Sequence, residues 1–450
     1  INSYLSAPTS HMINALTDAG MVAVSPVRRT LAATVEAGVA PLQGRARQRF
    51  FAEVPADVLG AIQGIPEGMR SFLYVMRHGV SPIEMVKFEL PRTPVFTGWR
   101  EVAVGLPGRT MHAVDQLFYQ INYRAALNAE AVRMARLSPR AGKNAVERTA
   151  EILANPTTEM MDRANAVAER NLFRSEPGAF VQSIFSLREK EILGVPALRF
   201  IVPFLRTPAN LFGTGLGHSP AGLANPKMWK ALLKKDPLFA DKAAEILLGT
   251  GIALAVAVHF AKGNITGPAP KSEAERDAFY REGKLPFAVK IGDTWIQYRR
   301  LEPFNTAFTL IAGVQAAVDA GDEEDALAKA GIVISMLGRN FQDQPYMTGI
   351  STIQDAIDNP EGPGARWLQQ FAVGFVPYAS AQRQTAAVIE PGYRKPQTFL
   401  ERLMVQTPGL AGRVPPRLTA FGEEAKRPSP AILPIAWSQA QKDEVGAELK

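Results

Sequence analysis

The chain has 450 residues, enough for two or three core-bearing units of about 100–200 residues each. Hydrophobic residues make up 46% and charged ones 21%, ordinary globular values that exclude wholesale disorder. There is no cysteine, which removes disulfides, thiolate catalysis and cysteine-rich zinc sites together, and the formal charge of +7 is dilute over this length, fitting a generic solvated surface better than a dedicated nucleic-acid groove.

The opening stretch, "INSYLSAPTSHMINAL", carries neither a signal peptide nor an initiator methionine. It reads as the middle of a longer polypeptide or as a processed product. The first strongly periodic element runs from Arg109 to about Leu137. There Met111, Val114, Leu117, Phe118, Ile121 and Ala125 recur at three- and four-residue steps and form one apolar stripe. Pro107-Gly108 is expected to stop the chain before this helix and Ser138-Pro139 after it. A second helix is expected over "TTEMMDRANAVAERNLF", with Thr157 as its N-cap and Met160 and Met161 leading into the apolar face.

The stretch "RFIVPFLRTPANLFGTGLG", Arg199 to Gly217, is apolar but interrupted. Pro203 ends or kinks whatever precedes it, and Thr207-Pro208 supplies an N-cap and a first helical residue, so the segment reads as helix, kink, helix. From Arg188 to Lys242 there are nine Lys/Arg against four Asp/Glu, the most basic zone of the chain. An apolar helix with a cationic flank is what an anionic surface attracts, whether lipid headgroup or phosphate backbone; a solvated helix face is the alternative. Arg199, Arg206, Lys230, Lys234 and Lys235 are the candidates for nucleic-acid or lipid contact.

Three uncharged runs of 16 residues follow one pattern: Ile246–Ala261, Pro303–Val318 and Trp367–Gln382. A membrane-spanning helix needs roughly 20 apolar residues, so each falls short. A longer run, Thr207–Pro226, is too rich in Pro and Gly to be one rigid span. Small residues such as Gly249, Gly251 and Ala253 let helices approach closely in water and lipid alike. Two readings stay open: a soluble bundle with an alanine-rich core, or semi-hydrophobic helices packed in an assembly and able to enter a bilayer when released. Ile246 to Ala261 is the candidate for bilayer or inter-subunit packing.

One segment departs from helical spacing. "FAVKIGDTWIQYRR" alternates Phe287, Val289 and Ile291, then Gly292-Asp293, then Thr294, Ile296 and Tyr298. This is a type II′ hairpin signal in which glycine supplies the positive φ. Such a hairpin is marginal alone and is expected to pack on neighbouring helices. "DAGDEEDALAK" reads as a helix N-terminus favoured by the macrodipole. From about Thr348 proline becomes denser, and the tail is expected to hold short helices apart with extended links that wrap other surfaces.

The expected fold is mainly α, multi-helix, elongated or bundle-like, with one β-hairpin near 287–298. The expected organisation is an N-terminal helical segment (1–108), a long-helix bundle (109–190), kinked basic and apolar helices (191–270), the hairpin and following helices (271–345), and a Pro-rich extended C-terminal segment (346–450).

No phosphate-cradling loop, nucleophile elbow, zinc-protease or calcium-loop motif is present, and Gly213, Gly215 and Gly217 lack the preceding strand and later spacing of a dinucleotide fingerprint. Histidines 11, 78, 112, 218 and 259 are scattered without partners at metal-binding spacing. The sequence therefore nominates no catalytic, cofactor-binding or metal residue and reads as a non-enzyme over this length.

Four motifs, in order, carry a resemblance. "INSYLSAPTSHMINALTDAG" resembles the Leu-Ser-x-Pro-x-Thr/Ser-His-x-x-Asn opening of large virion proteins of tailed bacteriophages. "LPGRTMHAVDQLFYQINYRAALNAEAVR" resembles the helix that follows there. "RFIVPFLRTPANLF" and "VKIGDTWIQYRRLEPFNTAF" resemble their Arg-Thr-Pro-x-Asn signature and Trp/Tyr hairpin. Together they cover residues 1 to about 310 and resemble internal virion or DNA-ejection segments of the large polyvalent proteins. The resemblance implies a structural role: packaging in the capsid near the portal, then expulsion to form an oligomeric conduit for DNA across the host envelope and periplasm. Implied partners are copies of the chain, portal or other internal and tail virion proteins, double-stranded DNA and the host envelope membrane. Alternatives are a non-catalytic part of a larger phage enzyme, such as a lytic transglycosylase or polymerase polyprotein, and a membrane pore-forming protein.

Overall fold

The structure is a computed structural model that describes residues 6–80, 99–139, 141–174, 378–418 and 433–441, and most positions of 210–314 and 422–427. It is mainly α-helical with one small antiparallel sheet. Among the described residues, eight α-helices with defined bounds precede the sheet: α1 (Pro8–Leu42), α2 (Glu53–His78), α3 (Trp99–Leu137), α4 (Ala145–Ala154), α5 (Thr158–Asn171), α6 (Pro226–Leu233), α7 (Leu238–Phe260) and α8 (Glu273–Arg281). Strands β1 (Ala288–Ile291) and β2 (Thr294–Gln297) come next, followed by α9 (Ala379–Ile389), α10 (Phe399–Gln406) and β3 (Trp437–Gln439).

Local signals start several of these helices. The Thr157 hydroxyl accepts from the Met160 N–H at 3.3 Å, the cap expected for α5. Asn144 and Glu147 form a reciprocal capping box on α4, as do Thr398 and Glu401 on α10. Asn225 followed by Pro226 opens α6.

The centre of the molecule is α3. Helix α2 runs antiparallel against it, with Gly60, Gly64 and Gly68 opposite Arg124, Ile121 and Leu117. A Cβ on Gly60 would lie 2.5 Å from the Arg124 carbonyl oxygen, and one on Gly68 2.6 Å from that of Leu117. The two backbones therefore touch, and only glycine fits the seam. On another side of α3, Ala126, Leu127 and Ala131 pack on Met160 and Ala164 of α5. The Tyr119 hydroxyl donates to Asn165 Oδ1 at 2.7 Å, and Tyr119 also packs on Ala168 and Leu172. Helix α1 lies against α2, α3 and α7.

The expected start of α3 at Arg109 is corrected. The helix begins at Trp99 and carries Pro107 inside it. Pro107 and Gly108 are both buried, and that packing outweighs the hydrogen bond a proline cannot make. The boundary expected between 108 and 109 thus falls within one helix.

The hairpin forms as read: Ile291 pairs with Thr294 across Gly292-Asp293, and Gly292 has φ 60° while Asp293 stays at negative φ. It packs on helical residues through Tyr298, which meets Phe287 and Phe308 edge-on. A third strand is added from far along the chain, because β3 pairs antiparallel with β2 through Trp295↔Ser438. Helices α9 and α10 are joined by an extended link, and the Ala381 N–H donates to Ser6 Oγ at 3.0 Å, tying α9 to the start of α1.

Candidate functional site

Three features stand out on this scaffold: outward apolar faces, a basic helix end and a buried ionic cleft. The expected contact residues Lys230, Lys234 and Lys235 are all exposed at the end of α6. They share that end with exposed Trp229 and Leu233, the latter 83% exposed, so the patch is both apolar and cationic. Lys235 has a structural task as well. Its backbone is left-handed, and its Nζ donates to the Gln43 carbonyl at 2.8 Å while Gln43 Nε2 donates to the Leu232 carbonyl. Arg199 and Arg206 lie outside the described residues, as do most of Trp367–Gln382 and "DAGDEEDALAK".

The segment Ile246–Ala261 lies largely within α7. Ala244, Leu248 and Ala253 are buried, whereas Leu247, Leu254 and Val258 are about half to two-thirds exposed. Helix α2 is more pronounced. Its inward positions are Glu53, Asp57, Gly60, Gly64, Gly68, Ser71 and Val75, small or charged apart from the last. Outward it presents Val58, Ile62, Ile65, Met69 and Leu73, at helical spacing along one face. The usual arrangement is inverted, with polar groups inside and a long apolar stripe outside. Among the described residues, no helix is long and apolar enough to cross a membrane.

The ionic cleft is where α1, α2, α3, α5 and α7 converge. Arg28 and Arg29 of α1, Arg49 from the α1–α2 link, Glu53 of α2, Arg133 of α3, Arg170 of α5, and Asp241 and Glu245 of α7 line a cavity of about 80 Å³. Arg49 grips Asp241 with two hydrogen bonds of 2.8 and 2.5 Å, joining the link to α7. Arg29 donates to Asp57 at 2.6 Å and lies 3.5 Å from Glu53, whose other oxygen accepts from the Phe50 N–H. Glu130 is shared by Arg133 and Arg163, and Glu245 by Lys242 at 2.7 Å and Arg170 at 3.7 Å. Arg28 has a neutral partner: it donates to Asn171 Oδ1 at 3.1 Å, and Asn171 in turn donates to Asn122.

Electrostatics follow the burial. Desolvation and the neighbouring Arg170 pull the Arg28 guanidinium down to about 10. Burial pushes the Glu245 carboxyl up, but Arg170, Lys242 and Arg28 outweigh it and hold the group at about 2. Burial and Arg49 lower Arg133. A second buried cluster lies where α1 crosses α3. There Arg174 pairs with Asp115, Asn14 donates to Asp115 at 2.8 Å, and the Asp18 carboxyl is raised by burial to about 7 despite Arg174.

None of this cleft was nominated from sequence, because its partners lie far apart in the chain, as with Arg49 and Asp241. The glycines at 60, 64 and 68 were a readable signal for the α2–α3 seam. No group of three or more His, Cys, Asp or Glu is placed to hold a metal ion among the described residues.

The described residues define a mainly α-helical protein with a small antiparallel sheet. No protein-family model, curated protein or solved structure matches the chain.

Proposed function

We propose that this chain is a structural segment of an internal virion, or ejection, protein of a tailed bacteriophage, which oligomerises to form or line a conduit for genome delivery across the host envelope. The observation that carries the reading is the inverted helix α2, whose glycine-rich face is spent within the subunit while Val58, Ile62, Ile65, Met69 and Leu73 are left outward. Exposed apolar stripes of this length favour burial against another surface, and a self-associating subunit supplies one. The outward Leu247, Leu254 and Val258 of α7 add a second such face. The four motifs that resemble ejection segments supply the particular setting, and the resemblance extends over residues 1 to about 310.

In this reading the α6 end, with Trp229, Leu233, Lys230 and Lys234, is the contact with anionic lipid headgroups. Its ring sits at the interface and its ammonium groups lie beside the phosphates. Mass analysis of intact virus particles and of infected-cell envelopes tests the setting. The polypeptide is expected in the particle before infection and in the envelope after it; its absence from particles would refute the proposal.

A further inference from the structure

The cleft between α1, α3, α5 and α7 holds more positive charge than the protein neutralises. Its network contains seven cations, Arg28, Arg29, Arg49, Arg133, Arg163, Arg170 and Lys242, against six carboxylates, Glu53, Asp57, Glu130, Glu159, Asp241 and Glu245. The shortfall falls on particular groups. Arg28 is only 8% exposed, and its hydrogen-bond partner is the neutral amide of Asn171. Arg170 lies 3.7 Å from Glu245, a carboxylate it shares with Lys242, and its Nε is buried without a hydrogen-bond partner. Arg133 pairs with Glu130, which also accepts from Arg163, itself paired with Glu159. Burying like-charged guanidinium groups side by side is costly unless something of opposite charge sits between them.

We infer that this cleft is a binding site for one small phosphate-class oxyanion, held by Arg28, Arg133 and Arg170. The unmatched positive charge calls for an anion, and planar guanidinium groups suit phosphate oxygens through paired hydrogen bonds. The cavity of about 80 Å³ has the right scale. About 10–15 Å³ of such water-accessible space holds one water, so the cleft has room for several waters or one tetrahedral oxyanion. The side chains come from three helices that are otherwise separate in sequence, so the anion would act as an internal clamp on the bundle. This inference is independent of what the chain assembles with.

The test is titration of the intact chain with inorganic phosphate at neutral pH and constant ionic strength, with chloride as the reference, read by ³¹P line broadening and by melting temperature. One saturable phosphate per chain is expected, with a melting temperature that rises as phosphate increases and not with chloride. Arg170→Gln, at a partly exposed position, is expected to weaken phosphate binding at least tenfold with its circular dichroism unchanged. Glycerol 1-phosphate distinguishes the source: competition admits a lipid-type headgroup phosphate, whereas no competition confines the site to the free ion, and either result upholds an oxyanion site. A response no greater than that to chloride, or binding unchanged in Arg170→Gln, would overturn it. The wild-type ³¹P measurement decides the matter even if the variant fails to fold.

Discussion

Gly64 of α2 and Ile121 of α3 stand backbone to backbone: a Cβ placed on Gly64 would lie 2.8 Å from the Ile121 Cα. No side-chain rotation can relieve such a contact, so the helices would have to separate. Gly64→Ala is therefore expected to cost about 1–3 kcal/mol in urea unfolding. Gly20 of α1 provides the contrast, since a Cβ there meets nothing within 4 Å. Gly20→Ala is expected to stabilise by about 0.5–1 kcal/mol through the unfolded chain. Equal effects at the two sites would contradict the packing described.

Glu36 is the best-sequestered carboxylate among the described residues, 0% exposed, and it accepts from Arg45 at 2.5 and 2.8 Å and from the Gln48 N–H at 2.8 Å. It fastens the turn that follows α1. Glu36→Ala leaves Arg45 without its partner and is expected to cost about 3–5 kcal/mol. Thermal unfolding measures it, and loss of under about 1 kcal/mol would show the pair to be dispensable.

Two buried carboxylates give opposite pH limbs. Asp18 is raised to about 7 from 3.8, so the folded state holds its proton where the unfolded chain has released it. Its contribution is full below about pH 4 and is lost as the pH rises through 7, at up to ~1.4 kcal/mol per unit. Asp18→Asn should flatten that limb. Glu245, held at about 2 from 4.5, contributes above pH 4.5 and loses its contribution as the pH falls toward 2. Glu245→Gln should flatten the acid limb alone. Stability curves from pH 2 to 8 for both variants decide the assignment.

What could be read in the sequence was local. The hairpin turn at Gly292-Asp293 and the Thr157 cap rest on residues within three positions of each other, and both form as expected. The start of α3 was misplaced because Pro107 has a strong local preference that burial overrides. Strand β3 could not be foreseen from three residues, since its pairing with β2 spans the distance from Trp295 to Ser438. The ionic cleft was hidden for the same reason: Arg49 and Asp241 meet only after α1 and α7 have packed. Lys234 and Lys235 looked equivalent, yet Lys235 is committed to the Gln43 carbonyl.

The basic end of α6 separates those two lysines. Lys230→Glu with Lys234→Glu is expected to reduce co-sedimentation with phosphatidylglycerol vesicles several-fold at low salt without altering unfolding, because both side chains are exposed. Retained vesicle binding would assign the patch to solvent.

Light scattering of the purified chain over a concentration series tests the assembly through apolar faces most directly. The wild type is expected at a multiple of its 48.9 kDa mass, while Ile62→Glu with Met69→Glu, on the outward face of α2, should return it to a single 48.9 kDa chain with unchanged circular dichroism. A wild type that stays monomeric at every concentration would contradict it.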